Sequence, residues 1–214
     1  MTSHTQSSKT SEIPALILAS SSPWRRMLLD RLQLPYRAVA PDVDESARGD
    51  ETVQARTERL ARIKAEAIDA SEPALVIGSD QLACIDGQAL GKPGCFEKAL
   101  EQLLSMRGRC VEFFTAIHVR HTASGQSAVH MDRTRVHLRD FSYTEAEYYL
   151  RREQPWNCAG SFKSEGLGIA LFERIESTDP TALIGLPLIA LSRMLHQLGL
   201  PVLAPRTSEE TPQP

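Results

Sequence analysis

Apolar and polar positions alternate in blocks that change period along the chain. Residues 15–19 form a short continuous apolar run, which predicts a buried strand. Trp24, Met27, Leu28 and Leu32 then recur at helical spacing behind Ser22, a capping residue, and Pro23, suited to a first helical turn. Residues 36–40 predict a second strand, and 52–68 a long helix with Val53, Leu60, Ala61, Lys64 and Ile68 near one face. Residues 75–78 predict a buried strand ending at Ser79-Asp80-Gln81; 82–85 continue extended, and Asp86-Gly87 signals a hairpin turn. An amphipathic helix is expected over 96–106, and two long strands over 111–120 and 128–138 around Ser124-Gly125. Ser142 and Glu145 form a capping box for a helix reaching about Arg152. A strand over 169–175 and a closing helix over 187–198 complete the pattern.

Strands and helices alternate first, and a long β pair is inserted midway. That order predicts an α/β fold with a mixed sheet and flanking helices. Sites in such folds lie beyond the carboxyl ends of strands, where Ser20 and Asp80 are both expected. One domain, residues 13–205, is expected between two tails, 1–12 and 206–214, whose Ser, Thr, Glu and Pro content reads as disordered.

Composition narrows the classes. The chain has 214 residues, 42% hydrophobic and 24% charged, enough for a sizeable core. A net charge of −3 argues against binding a nucleic acid polymer, although a local basic pocket is compatible with it. No apolar run approaches the roughly 20 residues that span a bilayer, and the polar start is no secretory signal. Arg25-Arg26 is no export signal either, because Asp30 and Arg31 interrupt the apolar stretch such a signal needs. Cys84, Cys95, Cys110 and Cys158 form no CxxC pair and no metal spacing, which suits reduced thiols and a cytoplasmic location. The six histidines show no ligand spacing.

Five stretches carry candidate chemistry. Ser20 to Arg26 leads from a strand into a helix start, where backbone N–H groups, hydroxyls and two arginine forks suit an anion. It serves equally as a capped helix with solvated arginines. Asp42-Val43-Asp44-Glu45 is either a hard-cation ligand set or a solvated loop. Asp80, directly after an apolar strand, is costly to bury without a partner; a metal or an activated water would supply one, and a turn cap is the alternative. Lys64, on the long helix, and Lys92, in the stiff Gly91-Lys92-Pro93 loop, either face one cleft or are solvated. The glycine-punctuated stretch 159–168 places Glu165 between flexible neighbours, in a surface loop or a binding loop.

Taken in order, Ser-x-Ser-Pro-x-Arg-Arg, Val-Asp-Glu, Gly-Ser-Asp-Gln, Gly-Lys-Pro, Ala-Gly-Ser-Phe-Lys-Ser-Glu-Gly and Gly-Leu-Pro resemble the Maf family of nucleotide pyrophosphatases over residues 16–200. Ser21, where threonine is common, is a small departure. The resemblance implies an elongated mixed sheet with two lobes around a deep cleft, related to the inosine triphosphatase fold. It implies a divalent metal, Mg²⁺ or Mn²⁺, and a cytoplasmic setting; the sequence leaves the oligomeric state open, a homodimer included. It assigns Asp80 as proton acceptor, and Ser20, Arg25, Arg26, Lys64 and Lys92 to the triphosphate. Glu45, with Asp80, is given to the metal, and Trp24, Gln81 and Glu165 are given to substrate choice.

Within the family the chain looks most like the branch acting on 7-methyl-GTP. The chemistry agrees: a tryptophan stacks well on the cationic 7-methylguanine ring, and a carboxylate accepts from both N–H groups of its pairing edge. The implied reaction cleaves the α–β phosphate bond, giving 7-methyl-GMP and diphosphate and clearing modified nucleotides from the pool. The alternatives are a dTTP and UTP pyrophosphatase of the sibling branch, and a non-catalytic nucleotide sensor or cell-division regulator.

Overall fold

The computed structural model describes residues 14–204; the expected tails, 1–12 and 206–214, lie outside the described residues. The chain runs β1 (Ala15–Ala19), α1 (Pro23–Asp30), β2 (Arg37–Val39), α2 (Val53–Glu66), β3 (Ala74–Ile85), β4 (Gln88–Leu90) and α3 (Phe96–Met106). It continues through β5 (Cys110–His121), β6 (Ser127–Leu138), α4 (Tyr143–Glu153), β7 (Phe172–Glu176) and α5 (Leu188–Gln197). The sheet is mixed α/β as expected: its order is β2-β1-β3-β5-β6-β7, with β4 added beside β3. β1 pairs parallel with β2 and β3, and every other pairing is antiparallel.

Local signals fix the element ends. Ser22 and Thr52 cap α1 and α2 by accepting from the N–H of Arg25 and Ala55, and Pro23 opens α1. Ser142 and Glu145 form both halves of the capping box on α4. Asp86 and Gly87 both take positive φ, 50° and 77°, in the two-residue turn joining β3 to β4. That is the backbone of a type I′ hairpin.

Two expectations change. The apolar strand at 75–78 does not end at Asp80; β3 runs unbroken through Gly78-Ser79-Asp80-Gln81 to Ile85 because β5 pairs with it throughout. The strand expected over 169–175 starts late. Residues 167–171 form a 3₁₀ turn that sends Leu171 into the core and leaves Ile169 outside, and pairing with β6 is confined to β7.

Side chains alternate across a strand, and the sheet uses this to build separate cores. On one face, Ile17, Ala19 and Val76 meet Ala65 and Ile68 from and just beyond α2. On the other, Leu75, Ile77, Ile117 and Val119 pack against Leu28 and Leu29 of α1 and Leu191 and Leu195 of α5. Further along the same face, Ala83, Val111, Phe113, Val136 and Leu138 pack against Leu100, Leu103, Ala146 and Leu150 of α3 and α4. Between these apolar halves lies a polar stripe, Ser79, Gln81, Thr115, Asp132 and Thr134. The long strands thus carry two lobes with a polar boundary.

Candidate active site

The site lies at a notch in the sheet. β1 pairs with β3 as far as Gly78, and β4 takes the same edge from Ala83. Residues 79–82 therefore keep β5 on one edge and have no strand on the other. Asp80 lies beyond the carboxyl end of β1 rather than at the end of its own strand.

Lys64 fills this notch from α2. The buried positions of that helix, Thr57, Leu60, Ala61, Lys64 and Ala65, repeat at helical spacing, so Lys64 occupies a core position. Its Nζ lies 2.6 Å from Asp80 Oδ1 and 2.7 Å from Glu45 Oε1. Lys64 and Asp80 are buried, whereas Glu45 is largely exposed. Close approach of α2 makes the pair possible: a Cβ on Gly78 would sit 2.1 Å from the Ala61 carbonyl oxygen. Only glycine lets helix and strand come this near. Asp80 Oδ2 takes no hydrogen bond from the described residues.

Ser20, buried at the end of β1, accepts from the Ser22 N–H at 3.1 Å and from Arg25 Nη1 at 3.5 Å. Arg25 donates its Nε to the Gly185 carbonyl at 3.0 Å. Burial pulls the Arg25 pKa below its ordinary value, while the charges of Asp80 and Glu45 push back. For Glu45 desolvation is the largest influence and raises the pKa. The Lys64 hydrogen bond and charge, with Lys92 and Arg25, outweigh it and hold Glu45 below 4.5. Five expected residues, Ser20, Arg25, Glu45, Lys64 and Asp80, are brought together, and the exposed Lys92 is near enough to act on Glu45 through charge.

The remaining residues are placed apart from this cluster. Arg26, one position along α1, is exposed and makes no hydrogen bond or ion pair with it. Trp24 is 38% exposed and stands on the surface of α1. Glu165 is exposed on a loop of the other lobe. Lys163 anchors that loop through its N–H to the Tyr149 hydroxyl and its Nζ to the Glu153 carbonyl, and Leu167 N–H bonds Glu153 Oε1. Gln81, next to Asp80, points to the opposite face of the sheet.

Some contributors lack a sequence signal. Arg56 and Arg59 donate to the carbonyl oxygens of Glu45 and Ser46, each at 2.9 Å, and so hold the loop that carries Glu45. Both lie on α2, outside the motifs that point to phosphate chemistry. Ser79 and Gly185 meet through a 3.0 Å hydrogen bond across more than a hundred residues; the Gly-Leu-Pro motif at 185–187 marks the place but not its partner. Asp42 and Asp44 do not join the cluster: Asp44 accepts from the Ser46 N–H in its own loop.

A hard divalent cation is often held by one or two carboxylates while substrate phosphates and water complete its shell. Among the described residues no group of three or more His, Cys, Asp or Glu gathers to hold a metal. Glu45 and Asp80 converge on Lys64 Nζ through one oxygen each, and their second oxygens fit the smaller set that a phosphate-bearing substrate completes. No helix among the described residues is long and apolar enough to cross a membrane, and the four cysteines are free thiols.

The chain is 51% identical over 193 residues to the 7-methyl-GTP pyrophosphatase of Cupriavidus pinatubonensis, covering 90% of this chain and 97% of that protein. It is 52% identical over 189 residues to the protein of that name from Albidiferax ferrireducens, covering 88% and 95%. The Burkholderia lata protein of that name is 52% identical over 195 residues, covering 89% and 93%. A solved Ham1 protein from Staphylococcus aureus aligns at a TM-score of 0.46 and 14% identity over 87% of this chain and 93% of that one, too loose a likeness to carry an argument. The family described as Maf-like protein matches residues 15–198, nearly all that the structure describes, and this chain belongs to that family.

Proposed function

We propose that this protein hydrolyses a nucleoside triphosphate at the α–β phosphate bond, releasing diphosphate, and that 7-methyl-GTP is its substrate. The observation that carries the reading is the buried Lys64 held between Asp80 and Glu45 at the notch, with Arg25 and Ser20 alongside. A protein that only binds nucleotides has no need to bury an ion pair, at a cost of several kcal/mol per charge, beside its phosphate site. The curated relatives that share half their residues with this chain bear the name 7-methyl-GTP pyrophosphatase.

In this reading Arg25 and Lys92 draw the phosphates toward the notch, and the Ser20 hydroxyl, already accepting from two donors, gives its own proton to a phosphate oxygen. Asp80 takes a proton from water at Oδ2 while Lys64 holds Oδ1. The water oxygen attacks the α-phosphorus and the bond to diphosphate breaks. Lys64, Arg25 and Lys92 neutralise charge on the leaving group. A divalent cation, held by Glu45 and Asp80, would supply further neutralisation of phosphate charge. Arg26 is kept as a wider contact with the triphosphate, since it stands outside the cluster. Trp24 stacks on the cationic base and Glu165 accepts from its pairing edge. Trp24 belongs to the half built on α1 and Glu165 to the loop of the other half, so in this reading the base lies between the two.

The test is diphosphate release from 7-methyl-GTP, GTP, dTTP and UTP, with Mg²⁺ present and after chelation, and with products identified. Diphosphate and 7-methyl-GMP as the favoured products support the reading. Preference for dTTP or UTP moves the protein to the sibling activity, and release of single phosphates rejects the cleavage site.

A further inference from the structure

We propose that Glu153, the last residue of α4, is a positioning residue for Glu165 and so sets the choice of base without itself touching the nucleotide. The inference rests on the base-reading role given to Glu165 above.

Glu165 stands in the middle of a short segment, residues 163–167, and both ends of that segment are tied to Glu153. Lys163 Nζ donates to the Glu153 carbonyl at 2.7 Å, and the Leu167 N–H donates to Glu153 Oε1 at 3.0 Å. Glu153 Oε2 lies 3.8 Å from Lys163 Nζ, so the carboxylate is an ion-pair partner as well as an acceptor. The helix stops at Gln154, φ 46°, so the Glu153 carbonyl has no helical N–H to accept from, and the Lys163 ammonium takes that place. A cation is favoured there by the helix dipole. One turn back on α4, the Tyr149 hydroxyl accepts from the Lys163 N–H at 3.0 Å.

Two glycines make this packing possible. A Cβ on Gly168 would stand 2.3 Å from the Lys163 carbonyl oxygen, a backbone atom that cannot move aside. A Cβ on Gly166 would meet the Glu153 carboxylate oxygens at 2.9 and 3.1 Å. Without one, the carboxylate lies directly against the residue next to Glu165.

The Glu165 carboxylate itself is left open. It accepts one hydrogen bond, from Ser164 Oγ to Oε2 at 3.1 Å, and Oε1 takes none from the described residues. Lys163, two residues away, makes no ion pair with it among the described residues, because Glu153 engages the ammonium. The Cys158 thiol, whose pKa burial raises, feels the charges of Lys163, Glu165, Lys92 and Glu153. Lys92 acts in turn on Glu45, which ties this corner of the second lobe to the notch.

Glu153 therefore acts on Glu165 in two ways: it holds both ends of the segment, and it keeps Lys163 away from the carboxylate. Without it the segment loosens and the freed ammonium is drawn to Glu165, where it competes with the N–H groups of the base. A carboxylate that accepts from a pair of N–H groups must be well oriented. Such a two-point contact discriminates between bases by roughly 5- to 150-fold. Uracil offers no neighbouring pair of donors, so cleavage of UTP is indifferent to where Glu165 lies.

The experiment is kcat and KM on 7-methyl-GTP, GTP and UTP for wild type, Glu153→Ala, Glu165→Gln and the double variant. In Glu153→Ala, kcat/KM on 7-methyl-GTP is expected to fall at least about fivefold relative to that on UTP, mainly through KM. In the Glu165→Gln background the same change is expected to add less than about twofold to the loss of selectivity, the sub-additivity of coupled residues. Glu153→Gln, which keeps the volume and gives up the charge that holds Lys163, asks the same question if Glu153→Ala does not fold. A merely structural role lowers all three nucleotides alike. Equal losses on the three, unchanged selectivity, or full additivity with Glu165→Gln overturns the proposal. Wild-type protein with no preference for 7-methyl-GTP over UTP overturns the base-reading role of Glu165, and this inference with it.

Discussion

Lys64 Nζ lies 2.6 Å from Asp80 Oδ1, and both side chains are 8% exposed. A buried ion pair of this kind is costly to break from one side, about 3–5 kcal/mol, because the survivor is left charged and unpartnered. Lys64→Met should therefore unfold at markedly lower denaturant than wild type, and Lys64→Met with Asp80→Asn should recover much of that loss without recovering activity. Equilibrium denaturation of the three proteins checks this.

Asp80→Asn keeps the shape of the side chain and a hydrogen-bonding oxygen but loses the base. Turnover should fall at least about a hundredfold, the low end of what a general base contributes. Single-turnover release of diphosphate measures it, and near-normal turnover removes Asp80 from the role.

Gly78 is the contact point of α2 and β3. Gly78→Ala puts a methyl 2.1 Å from the Ala61 carbonyl oxygen and 2.6 Å from the Ala65 nitrogen, both backbone atoms. The helix must retreat, with a stability loss of about 1–3 kcal/mol. Lys64 retreats with it, so kcat should drop as well, although Gly78 touches no substrate. Denaturant midpoints and steady-state kinetics on the same preparation check both effects.

Trp24 stands on the surface, so Trp24→Ala should change stability by no more than about 0.5 kcal/mol. Its effect should fall on the base. Cation–π stacking of about 0.5–2 kcal/mol corresponds to roughly a 2- to 30-fold loss with 7-methyl-GTP and little change with GTP. Glu165→Gln should likewise weaken 7-methyl-GTP use more than cleavage of other nucleotides. Steady-state kinetics on the paired nucleotides test both, and equal losses on every nucleotide reject the base-reading assignment.

His118 is buried on β5 with Nδ1 unpartnered, and desolvation holds its pKa below the ordinary 6.5, with Glu66, Glu58, Arg62 and Arg120 acting through charge. The folded protein thus binds its proton less readily than the unfolded chain does. Stability from this group is present above pH 6.5 and is lost as pH falls below it toward the folded pKa. Denaturant midpoints between about pH 8 and pH 5 should decline less steeply for His118→Gln than for wild type.

Local signals make most of the fold legible. Ser22, Thr52 and the Ser142–Glu145 box act within one turn of chain, and helical or alternating apolar spacing states which face is buried. The end of β3 is not legible in this way. Gly78-Ser79-Asp80-Gln81 looks like punctuation when its partner β5, some 35 residues later, is out of view. Lys64 carries a signal of its own, a charge at a core position of α2.

By itself the sequence determined the elements, the mixed α/β class, the family likeness and the types of residue fit for phosphate chemistry, because caps, periods and motifs are short-range properties. Only the tertiary structure decided which residues act together. Arg25 turns inward to Gly185 while Arg26 stays in solvent, a matter of helix rotation against α5 and the sheet. Asp80 and Gln81, adjacent in the chain, serve opposite faces because strand side chains alternate, and their partners come from α2 and from residues 182–183. Which element lies on each face of a strand is set by packing between distant segments, and no local pattern carries that information.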